Sequence, residues 1–276
     1  MEGIFSLTAY SILAQAGVGM SVMLFIAGKV IGLKEENRKQ YVQGYAMATL
    51  LTAAAMLLSM THLGMPLRAP NAILNIASSW LSREIFFNGM FFGCVALTAF
   101  LLYKKKPGAG LLSALAAISG ILCIFSQASI YANTVMPAWG HGHAYVTFLG
   151  AMIAMGCVLS GIFFYRHDEE AYRKFFIIGG SLLIVSILAQ AGIYAYLAGG
   201  LALMGPAGTK SLLLLQGKNM LLTASFLFLT IGLLTCICQY HRRKAGAALY
   251  LMAALIVLGE VLNRMIFYGI GVPMGL

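Results

Sequence analysis

Charge is what this chain has least of. Only 9% of its residues are Asp, Glu, Lys or Arg, and 8 of the 276 are acidic. Soluble domains carry about a quarter charged residues, so a composition this poor in charge, 61% hydrophobic with a mean hydropathy of +0.88, excludes an ordinary water-soluble domain. Alternating strand patterns are absent too, and a lipid-exposed span must satisfy its own backbone hydrogen bonds. A helical bundle is the remaining architecture. No basic region precedes the first apolar segment, and no clear small-residue cleavage site follows it. That segment is too long for a signal-peptide core and is read as a retained helix. Cysteines in polar segments are missing as well: Cys94, Cys123, Cys157, Cys236 and Cys238 all lie in apolar stretches and read as small buried hydrophobes, the Cys-x-Cys pair included.

Repeated apolar stretches of roughly 20 residues, separated by short polar gaps, predict eight transmembrane helices in a single domain covering residues 1–276. They are expected at about Leu7–Gly32, Tyr41–His62, Ile85–Tyr103, Leu111–Asn133, Ala144–Tyr165, Phe175–Leu197, Leu214–Tyr240 and Ala245–Gly269, with a glycine-rich loop over Gly199–Gly208. The net charge of +10 would suit a nucleic-acid binder, but the basic residues stand in short clusters between helices, as topology signals do. Lys34, Arg38, Lys39, Lys104, Lys105, Lys106, Arg166, Arg173, Lys174, Arg242, Arg243 and Lys244 follow the odd-numbered helices, whereas the other loops hold little beyond Arg68, Arg83, Lys210 and Lys218. The positive-inside rule then places both termini on the extracytoplasmic side of a bacterial cytoplasmic membrane. The hexapeptide ILAQAG, at Ile12–Gly17 and again at Ile187–Gly192, has no match in its flanks and reads as coincidence in so apolar a composition.

The stretch from Thr61 to Phe86 is the longest gap between strongly apolar segments and gathers His62, Arg68, Arg83 and Glu84. Charge beside membrane helices is costly and usually has a task. Oxidation of a hydroquinone releases two electrons and two protons, so its site needs hydrogen-bond acceptors near the phenolic oxygens and a way out for protons. His62, at the outer end of the second helix, suits this because an imidazole titrates near neutrality. Glu84, at the start of the third helix, reads either as a contribution to the helix N-terminus or as a proton acceptor near His62. Arg68 and Lys218 are candidate headgroup or docking contacts, or simple snorkelling cations. Glu260 and Arg264, one turn apart on the last helix, are expected to face the interior and to pair or share water, either as a structural ion pair or as an aid to the quinol site. His141, His143, His167 and His241 all fall in loops on this reading, which leaves no pair of helix histidines for b-type haem. His-Gly-His at 141–143 is too weak to define a metal site.

The segment HLGMPLRAPNAILNIASSWLSREI resembles the signature of the membrane anchor subunit of bacterial dimethyl sulfoxide reductases, with its His-Leu-Gly, Pro-x-Arg-Ala, Asn and Leu-Ser-x-Glu-Ile. GEVLNRMIFYG is similar to that family's last helix, and YANTVMPAW to the segment after its fourth; the usual opening His-Glu-Trp-Pro-Leu is replaced by MEGIFSL, and Gly140 stands where an asparagine is frequent. The resemblance implies an anchor that holds a molybdopterin catalytic subunit and an iron–sulfur subunit at the membrane. It further implies oxidation of menaquinol without haem, with His62 and Glu84 as the functional histidine and acidic residue. Two other classes are open: a small secondary transporter, whose polar or broken helices would lie near the bilayer midplane, and an anchor without quinol chemistry. In this protein the strongest polar cluster is expected at one surface.

Overall fold

The structure is a computed structural model that describes residues 2–60, 75–140, 142–164, 170–242 and 247–274. Its helices are α1 (Glu2–Val30), α2 (Arg38–Met60), α3 (Trp80–Tyr103), α4 (Ala109–Ala132), α5 (His143–Phe164), α6 (Glu170–Gly200), α7 (Gly205–Gly217), α8 (Asn219–Arg242) and α9 (Ala247–Gly269). Among the described residues, 8 helices are long and apolar enough to cross a membrane. The exception is α7, at 13 residues, since a span needs about 20.

The helices gather around α1. Its apolar window is 72% buried by the rest of the protein, against 17% for α8. Packing of this kind cannot draw on a difference in hydrophobicity, because lipid tails are as apolar as leucine. Close backbone approach supplies it instead. Gly19 of α1 and Gly156 of α5 meet backbone to backbone: a Cβ built on Gly156 would lie 2.5 Å from the Gly19 carbonyl carbon. Gly17 faces α2 in the same way, with Thr52 Oγ1 at 2.6 Å from a Cβ at that position. On the outside, Leu57, Leu111, Leu213 and Met220 are exposed, as lipid-facing side chains should be.

One end of the bundle carries the lysine-rich loops. There Glu35 accepts from Arg38 at 2.6 Å and contacts Lys105 Nζ at 3.1 Å, tying the α1–α2 loop to the α3–α4 loop. Hydrogen bonds from Lys105 and then Arg38 hold its carboxyl below the usual range. All three groups are well exposed or partly so, and such pairs contribute little.

Two boundaries differ from expectation for identifiable reasons. The glycine-rich stretch after α6 is not a loop throughout: a short 3-10 turn, Leu201–Leu203, leads into α7. Gly205 adopts a φ of 74°, and Pro206 occupies the first turn, where its missing N–H costs nothing. The expected helix from Leu214 to Tyr240 is therefore two, broken at Lys218. In addition, α3 begins at Trp80 rather than Ile85, because Ser79 caps it, its Oγ accepting from Ser82 N at 3.3 Å. Arg83 secures the same turn, donating to Ile76 O at 2.9 Å and Ala77 O at 2.6 Å while its guanidinium lies 4.1 Å from the Trp80 ring centre.

Candidate functional site

Starting α3 one turn earlier changes the place of Glu84. The carboxylate does not serve the helix N-terminus; it lies in the second turn and points inward, 5% exposed. Oε1 accepts from Tyr10 OH of α1 at 2.6 Å and from Gln127 Nε2 of α4 at 3.0 Å. Two donors converging on one oxygen satisfy a carboxylate that would otherwise be costly to bury. The group sits at the end of the bundle away from the lysine-rich loops, in the helix that follows residues 61–74 in sequence. His62 and Arg68, assigned to this site from the sequence, lie outside the described residues.

Glu260 and Arg264 do face the interior, at 1% and 2% exposure, but the ion pair expected between them is not formed. Glu260 Oε1 accepts from Gln190 Nε2 of α6 at 2.9 Å, and Asn263 Nδ2 donates to Gln190 Oε1 at 2.6 Å. Arg264 Nη2 turns the other way, to Gln15 Oε1 of α1 at 2.9 Å and Thr147 O of α5 at 3.3 Å. Its Cζ lies 3.6 Å from the Phe148 ring centre and 5.4 Å from that of Phe267. The physical reason is that both charged groups find partners on other helices. The guanidinium gains carbonyl acceptors and an aromatic face, which a one-turn pair along α9 would forgo. Gln15 in turn donates to Gln127 Oε1 at 3.4 Å, so a run of side chains connects Arg264 with Glu84.

Buried polar groups also occur away from the end where Glu84 lies. Gln15 and Glu260 lie near the middle of α1 and α9, and both are buried. Four residues of the network, Gln15, Gln127, Gln190 and Asn263, escaped the sequence reading. The signal that could have found two of them is the ILAQAG repeat: each copy delivers one fully buried glutamine to α9, Gln15 to Arg264 and Gln190 to Glu260.

The histidines need one more correction. His143 is not in a loop but opens α5, fully buried, with Nδ1 2.6 Å from Ala138 O and its ring 4.9 Å from that of Tyr194. The 3-10 turn Pro137–Trp139 leads into α5 and buries Ala138, which fixes the histidine in place. His241 belongs to the last turn of α8. Lys218 is half-buried between α7 and α8, its stem packed across Gly269 at the end of α9. Among the described residues, no three His, Cys, Asp or Glu side chains gather as a metal site would require.

The stretches YANTVMPAW and GEVLNRMIFYG come together in space. Trp139 Nε1 donates to Phe267 O at 2.7 Å, and the two rings stack 5.5 Å apart. Met274 N donates to Val135 O at 3.1 Å beside them.

The sequence is similar to known proteins, to two of them along nearly its whole length. The protein is 25% identical over 275 residues to the anaerobic dimethyl sulfoxide reductase chain YnfH of Escherichia coli K12, an alignment that spans 98% of this sequence and 95% of that one. It is 22% identical over 278 residues to the C subunit of the same organism's anaerobic dimethyl sulfoxide reductase, spanning 98% and 96%. The C subunit of the Haemophilus influenzae anaerobic dimethyl sulfoxide reductase is 26% identical over 195 residues, 67% of this sequence and 68% of that one. Residues 2–270 match the family described as DMSO reductase anchor subunit (DmsC), and the protein belongs to that family.

Proposed function

We propose that this anchor subunit binds menaquinol at the end of the bundle where Glu84 lies and oxidises it, passing the electrons to an iron–sulfur subunit. A molybdopterin subunit on the same face then uses them to reduce the terminal acceptor. The complex sits in the bacterial inner membrane with this end outward. Each quinol gives up two electrons, which leave through the iron–sulfur partner, and two protons, one of which passes first to Glu84. His62, outside the described residues, and Glu84 act on the phenolic oxygens, with Arg68 at the headgroup. On this reading the anchor holds no haem and no metal, so a purified anchor reduced with dithionite shows no b-type bands.

The observation that supports this reading is the setting of Glu84. It is the acidic residue nearest in sequence to residues 61–74, and it is turned into the bundle and held by Tyr10 and Gln127. A carboxylate held that way can exchange a proton without losing its place, as general-base work requires. The test is quinol-dependent reduction of acceptor by membranes with normal subunit levels. Glu84→Gln should slow it by about 10²-fold, within the usual range for loss of a general base, and His62→Leu by at least as much. Parental turnover in both variants would end the quinol reading and leave a purely structural anchor.

A further inference from the structure

We propose that Arg264 is a positioning residue for Glu84, acting across the bundle through the amides of Gln15 and Gln127. A guanidinium has five donors and no acceptor. Whatever side-chain amide it meets must therefore present oxygen, and Gln15 does so, with Oε1 2.9 Å from Arg264 Nη2. That leaves Gln15 only its NH₂ group for the next contact. It donates to Gln127 Oε1 at 3.4 Å, which in turn commits the NH₂ of Gln127 to Glu84 Oε1 at 3.0 Å.

An amide on its own can turn over and exchange its oxygen for its nitrogen at little cost. These two cannot do so independently. Turning Gln127 would set its oxygen against the Glu84 carboxylate and its NH₂ against that of Gln15. Turning Gln15 would set its NH₂ against Arg264. The cation at one end thus fixes the polarity of the whole run, and every dipole in it points its positive end at Glu84. Such aligned hydrogen bonds reinforce one another where water is excluded. Here Gln15, Gln127, Arg264 and Glu84 are all at 5% exposure or less. The run crosses four helices, α9, α1, α4 and α3.

The neighbouring run from Asn263 through Gln190 to Glu260 makes the contrast. It begins at an amide that can itself turn over, so nothing at its head dictates its polarity. Arg264 is different in kind, and its second acceptor, Thr147 O, together with the Phe148 face, keeps the guanidinium in position. The purpose of this arrangement rests on the quinol reading of Glu84, but the arrangement itself does not.

The experiment separates the two. Infrared spectra of the whole complex, with the spectrum of Glu84→Gln subtracted, isolate the Glu84 carboxyl bands across a pH series. Other titratable side chains within electrostatic range of Glu84 are Tyr10 of α1, Cys123 and Tyr131 of α4, and Tyr268 of α9; the variants leave all of them in place. Gln15→Met removes the relay while nearly preserving volume, and Arg264→Met removes its head. Each should raise the ratio of protonated to ionised Glu84 carboxyl at neutral pH by threefold or more. Arg264→Lys, whose ammonium also only donates, should hold that ratio near the parental level. Unchanged Glu84 bands in Gln15→Met overturn the proposal, and that variant decides alone if Arg264→Met does not assemble. Should Gln15→Met change the bands while Glu84→Gln oxidises quinol normally, the positioning stands and the quinol reading falls.

Discussion

Glu260 finds its partner in an amide of α6 and not in the arginine one turn along its own helix. The distinction has a measurable consequence. In Glu260→Gln the new amide oxygen can still accept from Gln190 Nε2, which lies 2.9 Å from Glu260 Oε1, and Arg264 loses no contact. The variant should therefore cost less than about 1 kcal/mol, the scale of one hydrogen bond changed but not lost. Thermal melting of the purified complex checks this. A fall on the scale of a broken buried pair, about 3–5 kcal/mol, would mean that the two charges do depend on each other. At this scale the sequence was legible where the residue was charged. Glu84, Glu260 and Arg264 stand out in a protein with so little charge, and all three prove to be buried network members. The glutamines were not legible. An amide draws no attention in a list of ionisable groups, and its importance depends on which helix face it occupies. That face cannot be read when nearly every position around the helix is apolar. The direction Glu84 points in was missed for a related reason: it followed from Ser79 taking the cap, which moved the start of α3 by more than a turn.

Helices in this protein are positioned by what their small residues allow. At the α1–α5 crossing, a methyl group on Gly156 would lie 2.5 Å from backbone atoms of Gly19, which cannot rotate out of the way. Gly156→Ala should push the two helices apart, with a loss of about 1–3 kcal/mol as for other overpacked sites. Gly28→Ala, where nothing stands within 4 Å, should be neutral. Melting temperatures of the two complexes, compared at equal subunit levels, test the pair. Equal temperatures would show that the crossing yields without cost. Because α1 carries Tyr10 and Gln15 on the same helix, the Gly156 variant should also weaken the contacts that reach Glu84 and Arg264. Existence and order of the spanning helices were plain from hydropathy, since about 20 apolar residues have few other uses. The α7 segment was not plain. Gly205, Pro206 and Gly208 read as a loop, yet they form its first turn, where proline favours a helix, and Gly217, read as part of the next helix, closes it. Composition alone does not distinguish a glycine that ends a helix from one that prevents it.

For the whole molecule, the distribution of charge distinguishes the two ends of the bundle. The loops after α1 and α3 contain lysines and the Glu35 contacts to Arg38 and Lys105. The opposite end holds Glu84, His143 and the stacked Trp139 and Phe267. A positively charged loop is retained on the cytoplasmic side during insertion, and the bias counts most in short loops. The α3–α4 connection is such a loop, with Lys104, Lys105 and Lys106 between Tyr103 and Ala109. The eight candidate spans among the described residues return the polypeptide to the end of the bundle at which it began, so the start of α1 and the close of α9 lie at the same end as Glu84. An enzymatic reporter fused after Lys106 should be active only in the cytoplasm, and one fused after Met274 only outside it. Reversing the bias should also be hard: replacing Lys104, Lys105 and Lys106 with glutamine leaves the other basic loops intact, so both reporters should keep their compartments. Both fusions reporting one compartment would remove the outward placement of Glu84, and with it any direct route from quinol oxidation there to a partner on the outer face.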